Sequence, residues 1–512
     1  MERSSPERTN PIHPAFFIII MLLALLNVVL IGSGIFDLSP LEAHYWEWSR
    51  RLDLSYYSKP PMVAYIIALF TSIFGDNEIG VRTGAVVLSS LTAVIFLLLC
   101  KEIKLTPRAT TYAFLFLILS PMFFGGSILM TTDVPLLFFW VLALYSLARA
   151  LREDGFPWWA MTGIAIGFGM ISKYTMFFFI PCMILYLLIT GRLIGILKNH
   201  FFWLSVLIMI LLFSPVLYWN YMHDWVSFKH TAGLATRGKG VFTLSTKYFF
   251  EFIGSQIGLV SPLIFFMVFA AWIKGFINLI RKRVDEDAFL ISFSLPVFLF
   301  FCLLSLHGKT QGNWPAPCYI TAYIYIAMLV EKGMFFDYKK DRTLAHSALV
   351  VASAVIIFAY GISIASEYVN LGISPKLNIS NRLKGWKVLS QKVSEVIDEM
   401  GDEPLFIFSD DYNISSELAF YIDSHPVTYC VNLGKRMNQY DLWEDFSGLK
   451  GWNAIYVTRG DKMLPEPLKV LFDGCSRELF EVRRAGASIG VYSIFKCYNF
   501  HGGKPHIDKI TY

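Results

Sequence analysis

Carboxylates, histidines and lysines collect in a few short stretches between long apolar runs, and chemistry in this chain would have to happen there. The first stretch, 34–80, carries Glu42, His44, Glu47 and Lys59. Asp133 follows Thr131-Thr132, and Lys173 lies between two apolar runs. His223, Asp224, His230 and Arg237 fall within 220–253, while Lys309, Asn313 and Trp314 close the set. A carboxylate can take the proton of a hydroxyl within hydrogen-bond reach. Lysine or arginine can neutralise charge that develops on a departing phosphate. Lys59 suits a phosphate, because Pro60-Pro61 stiffens the backbone behind it.

Each residue also has a plainer reading. Glu42 falls in the first turn of a helix-like stretch that starts at Pro40, where the helix dipole favours a carboxylate and capping alone would explain it. Lys59 could anchor a lipid headgroup, and Asp133 could cap a helix in Thr131-Thr132-Asp133-Val134-Pro135-Leu136. Lys173 could snorkel, and His230 and Trp314 could be interfacial.

The elements that must position these residues are membrane helices. Of 512 residues, 55% are apolar and 16% charged, against about 25% charged in a soluble domain. Mean hydropathy is +0.52. The net charge of +5 comes with no block of like charge, which excludes nucleic acid as a partner. The seven cysteines hold no CxxC pair, and no metal or redox framework emerges from them.

Apolar runs occur at about 14–33, 81–100, 110–127, 131–150, 157–171, 174–190, 200–219, 254–278, 288–306, 314–331 and 345–366. The first reads as a retained helix, since no A-x-A-like cleavage site follows it. Met62–Phe74 is short for a span and suits an interfacial or re-entrant helix. If it does not cross and the N-terminus is cytoplasmic, Lys101/Lys104/Arg108, Arg149/Arg152, Arg192/Lys198, Arg281/Lys282/Arg283 and Lys332/Lys339/Lys340/Arg342 all fall inside. The positive-inside rule thus predicts eleven spans, with twelve or thirteen as the competing counts. It puts all the candidate residues on the outer side, where ionisable groups at membrane depth default to function. From about 367 to 512 the apolar runs shorten to strand length, in LFIFS, VTYCV, AIYVT and IGVYSIF, with helix-like stretches at Trp386–Met400 and 415–422. That alternation predicts a small periplasmic α/β domain at 367–512, tethered to a transmembrane domain at 1–366.

Four motifs, in order, resemble a known family. Pro40-Leu41-Glu42-Ala43-His44-Tyr45-Trp46-Glu47-Trp48-Ser49, followed by Ser55-Tyr56-Tyr57-Ser58-Lys59-Pro60-Pro61, is similar to the first outer loop of bacterial protein-mannosyltransferase-like enzymes. These have the C-type glycosyltransferase fold and include the lipid A aminoarabinose transferases. The Thr131–Leu136 turn resembles that family's second acidic turn, and Trp219-Asn220 with His223-Asp224-Trp225 and Ser227-Phe228-Lys229-His230 resembles its large outer loop. Gly312-Asn313-Trp314-Pro315-Ala316-Pro317 resembles its N-W-P-A-P element. The match covers about 36–320.

The resemblance implies inverting transfer of a hexosyl or pentosyl unit from a polyprenyl-phosphate donor, outside the membrane. The acceptor would be a glycolipid such as lipid A or lipopolysaccharide, with a protein hydroxyl as the alternative; a non-enzymatic transporter of lipid-linked sugar is the reading from another class. Relatives usually carry Asp-Glu where this chain has Leu41-Glu42, and the aminoarabinose transferases have glutamate in place of Ser58. Glu42 is then the favoured base, with Asp133 orienting or sharing the role. Lys59 is first choice for the donor phosphate, with Lys173, His230, Arg237, Lys309, Asn313 and Trp314 as further substrate contacts and His44, His223 and Asp224 as a further site. Glu42, Asp133, His223, Asp224 and His230 could ligate a divalent ion but lack a diagnostic spacing.

Overall fold

The computed structural model describes residues 12–235, 246–282, 284–372 and 379–505. The chain forms two compact units. One comprises Met1–Asn27, Ala85–Met222 and Ala232–Phe358, and the other Val28–Gly84, His223–Thr231 and Ala359–Tyr512.

The first unit is helical, and every apolar run read from the sequence falls on helix. Among the described residues, seven helices are long and apolar enough to cross a membrane: Ala15–Gly32, Glu78–Glu102, Asp133–Glu153, His200–Met222, Pro262–Arg281, Asp285–Leu304 and Tyr338–Tyr368. The chain is a multi-pass membrane protein. Tyr174–Ile189 and Cys318–Glu331 are shorter apolar helices of the same unit.

Several runs are not continuous, that at 288–306 among them, which divides into Asp285–Ser292 and Leu295–Leu304. The run at 110–127 divides into Pro107–Ile118 and Pro121–Gly126, since proline opens a helix readily but cannot continue one. The expected single run at 254–278 is likewise corrected to two helices, Thr246–Val260 and Pro262–Lys282. Ser261 between them has φ +84°, and the residue before a proline is barred from helical geometry. Elsewhere the helices meet closely. Phe156–Met170 lies against His200–Met222 through glycines: a Cβ on Gly163 would stand 2.4 Å from the Ser205 carbonyl oxygen, and one on Gly167 2.8 Å from Leu212. Only glycine lets the backbones approach this far.

The second unit is built on a five-stranded sheet of β1 (Leu405–Ser409), β2 (Thr428–Cys430), β3 (Asn453–Arg459), β4 (Phe472–Arg484) and β5 (Ala487–Phe500), in the order β2-β1-β3-β5-β4. β1 pairs in parallel with β2 and β3, and β5 runs antiparallel to β3 and β4. One sheet face packs on helices Trp386–Met400 and Tyr412–Tyr421 through Leu389, Val393, Ile407 and Leu418; the other is aromatic, with Phe406, Phe408, Phe446 and Phe500. β4 is absent from the sequence reading because its residues alternate with charges and stay largely exposed at the sheet edge. A second correction follows from it. Cys475 and Cys497 are register partners on β4 and β5 and form a disulfide, the redox framework that the cysteine spacing did not disclose.

The same unit holds the stretch 34–80, with helices Pro40–Ser49 and Met62–Phe74. Asp37 secures its entry, accepting from the Trp386 amide at 2.9 Å while its own amide donates to the Leu383 carbonyl.

Candidate active site

In the helical unit three separate turns meet on one carboxylate. Asp133 is the first residue of Asp133–Glu153, and Thr132 occupies the cap position without a side-chain cap bond. The aspartate side chain is spent elsewhere. Lys173 Nζ donates to Oδ1 at 2.6 Å, and Asn313 Nδ2 donates to Oδ2 at 2.6 Å. Lys173 leaves the end of Phe156–Met170 in extended conformation and is 5% exposed, so its charge is compensated by Asp133 rather than by water. Asn313 lies in a run of short turns, with the Trp314 amide donating to Gln311 and the Ala316 amide to Asn313. Gln256 braces that run: its Nε2 donates to the Gly312 carbonyl at 2.8 Å and its Oε1 accepts from the Tyr319 hydroxyl at 2.8 Å. A Cβ on Gly312 would come within 2.7 Å of Ser255 Oγ.

The chemical consequence is an oriented, reachable carboxylate. A carboxylate offers about four lone-pair positions, and the two side-chain donors occupy one on each oxygen. The Asp133 side chain is 16% exposed. Lys309 is exposed and Trp314 packs its ring against Phe301 at 5.8 Å; among the described residues, neither joins the hydrogen bonds of Asp133.

In the second unit Glu42 is in a different situation. Ser39 and Glu42 form a capping box, with the Ser39 amide donating to Oε2 at 2.9 Å. Arg82 then takes both oxygens, Nε to Oε1 and Nη2 to Oε2, each at 2.9 Å. The same guanidinium donates to the carbonyls of Phe36 and Asp37. Neither side chain of the pair is exposed. Leu41 beside it is 46% exposed, so the open position on this helix carries no carboxylate.

Lys59 closes a tight turn in which the Tyr56 amide donates to the Lys59 carbonyl at 3.1 Å. Ser227 donates to the Tyr56 carbonyl at 2.7 Å, and the Tyr57 amide to Gln439 Oε1 at 2.6 Å. The Tyr57 ring meets His230 edge-on at 4.6 Å, and Arg436 donates to that imidazole. Tyr57 thus joins the turn of half-buried Lys59 to buried His230 and, through it, to Arg436. His223 and Asp224 form the turn before Val226–Ala235, where Asp224 and Trp225 both take positive φ, +52° and +58°. Such backbone costs of order 1–3 kcal/mol per residue and marks an over-determined turn. Arg237 lies outside the described residues. Among the described residues no three His, Cys, Asp or Glu side chains gather as a metal site would need.

Arg82, Gln256 and Arg436 are additions to the residues read from sequence. Arg82 carried a signal, an ionisable residue at the head of an apolar run; Gln256 and Arg436 carried none.

His44 is interior. It accepts from the Trp48 indole at 3.2 Å and packs against Tyr412 and Tyr440, and burial pushes its pKa down to about 3 from 6.5. The unfolded chain therefore takes up a proton below pH 6.5 that the folded chain refuses, so this histidine removes stability as pH falls from 6.5 toward 3, by up to about 1.4 kcal/mol per pH unit. Glu47 and Glu417, whose carboxyls burial raises, act oppositely, removing stability as pH rises above 4.5. Comparison with His44→Gln isolates the histidine: melting temperature between pH 6.5 and 5 should fall less steeply in the variant. Parallel curves would remove His44 from the account.

Comparisons with known proteins follow the same lines. Residues 58–219 match the family of dolichyl-phosphate-mannose-protein mannosyltransferases. The lipid A galacturonosyltransferase RgtD of Rhizobium johnstonii is 30% identical over 322 residues, 61% of this chain and 65% of that protein. The undecaprenyl phosphate-alpha-4-amino-4-deoxy-L-arabinose arabinosyl transferase of Pseudomonas aeruginosa is 28% identical over 184 residues, 31% of this chain and 33% of its own length. The chain thus spans just under two thirds of the first relative and a third of the second. The crystal structure of ArnT from Cupriavidus metallidurans bound to undecaprenyl phosphate matches with a TM-score of 0.63 at 13% identity, over 96% of this chain and 99% of that one. The fold is the C-type glycosyltransferase fold, and the resemblance read from the outer-loop motifs holds.

Proposed function

We propose that this chain is an inverting glycosyltransferase that moves a sugar from a polyprenyl-phosphate donor to lipid A or a related envelope glycolipid. The observation that carries this reading is Asp133, a carboxylate oriented by Lys173 and Asn313 within a C-type fold. In the proposed step an acceptor hydroxyl donates to a remaining lone pair of Asp133. As its oxygen attacks the anomeric carbon from the face opposite the phosphate, Asp133 takes the proton. The bond from anomeric carbon to phosphate oxygen breaks with inversion, and polyprenyl phosphate leaves with the electron pair. Lys173 and Asn313 hold the carboxylate in place, and Lys59 is the proposed counter-charge for the leaving phosphate. Glu42, with both oxygens engaged by Arg82, is proposed to hold the outer loop rather than to move the proton.

The proposed setting is a bacterial inner membrane crossed eleven times, with the site and the sheet domain facing the periplasm. Two observations support it: the basic loops fall on one side under that count, and the Cys475–Cys497 disulfide suits an oxidising compartment.

The test is reconstitution with radiolabelled polyprenyl-phosphate sugars. Because one relative is named for galacturonosyl and another for aminoarabinosyl transfer, both donors are offered with lipid A. Label should move to lipid A, and Lys59→Ala should weaken donor use far more than Lys59→Arg, which keeps the charge. Label reaching a protein hydroxyl instead would change the acceptor. Bound or translocated donor without transfer to any acceptor would favour the transporter and overturn the reading.

A further inference from the structure

In the helical unit, the beginnings of Ala15–Gly32, Pro107–Ile118 and Tyr338–Tyr368 surround a cavity of about 670 Å³. It is lined by His13, Arg108, Arg342 and His346, and no carboxylate is among the described residues lining it. Phe16, Leu115 and Leu349 make its apolar wall. The basic groups are held in place. The Tyr112 hydroxyl bonds His346 Nε2 at 3.2 Å, Arg108 donates to the Tyr338 hydroxyl, and the Arg342 guanidinium lies 5.4 Å from the Tyr338 ring centre. Among the described residues Arg342 Nε is enclosed and has no hydrogen-bond partner.

We infer that this cavity binds the headgroup of an anionic phospholipid, with an acyl chain along Phe16, Leu115 and Leu349. Among the described residues its charged lining is of one sign and suits an anion, and its position at the ends of membrane-crossing helices puts lipid phosphates within reach. Basic pockets between transmembrane helices are built for such headgroups. A soluble anion would not use the apolar wall; a zwitterionic lipid would bring its own cation against two arginines. The site is independent of the sugar-transfer reading and of Asp133.

The experiment is native mass spectrometry of the purified full chain, offered phosphatidylglycerol, phosphatidylcholine or inorganic phosphate. Phosphatidylglycerol should stay bound through delipidation about ten-fold more than phosphatidylcholine, and millimolar inorganic phosphate should not displace it. The preference should disappear in Arg108→Gln/Arg342→Gln and persist in Arg108→Lys/Arg342→Lys. Should the glutamine pair fail to fold, the contrast between lipids on the native chain and on the lysine pair decides. Equal retention of the two lipids, an undiminished preference in a folded glutamine pair, or displacement by phosphate alone would overturn the inference.

Discussion

Asp133→Asn is expected to lower the turnover of sugar transfer by about 10²- to 10⁴-fold, the usual loss when a general base is removed. The substitution is conservative in shape. Its carbonyl oxygen can still accept from Lys173 or from Asn313, which now donate at 2.6 Å. What the amide cannot do is take the proton of an acceptor hydroxyl. Turnover must be read at saturating donor, because weak binding would otherwise pass for slow chemistry. Donor affinity, measured separately, should stay within a few-fold of the native value. A variant that binds donor and turns over normally would remove Asp133 from the chemistry.

Glu42→Gln should show its main effect in folding. Glu42 and Arg82 are both fully buried, and the glutamate accepts two of the guanidinium's hydrogen bonds. Removing one partner of such a pair costs about 3–5 kcal/mol, since the remaining charge stays buried without compensation. Glutamine retains the acceptor for the Ser39 amide, so the helix cap survives and the loss is electrostatic. The melting temperature should drop sharply, and Glu42→Gln/Arg82→Met should recover part of it, because with the guanidinium also gone no charge is left stranded. The opposite result is informative: a Glu42→Gln protein with native stability and lost turnover would return the proton transfer to Glu42.

These two residues show how far sequence reached. Both carboxylates were identifiable from their motifs, as was Asn313, and Lys173 from its place between two apolar runs, but Asn313 is 180 positions from Asp133 and nothing local says that they touch. Ranking Glu42 above Asp133 followed from motif position. The reason to reverse it, Arg82, lies 40 positions away and shows only in three dimensions. Helices were legible because long apolar runs have few alternatives in a membrane. Breaks within them were harder: at Ser261 apolar residues continue on both sides, and Pro262 alone announces the bend. β4 escaped because an edge strand needs no buried face, and the Cys475–Cys497 pair escaped with it.

The glycine seam between Phe156–Met170 and His200–Met222 sets a mechanical datum. Lys173 stands three residues beyond the first of these helices, so its ammonium is located by wherever that helix stops. Along an α-helix a slip of one residue means about 1.5 Å of travel and about 100° of rotation. A 2.6 Å contact to Asp133 has no tolerance for either. Gly163 and Gly167, flush against Ser205 and Leu212, remove that freedom as a key does in a slot. Inherited variation along this seam would therefore be read out as misalignment of a distant lysine, in positions that touch no sugar.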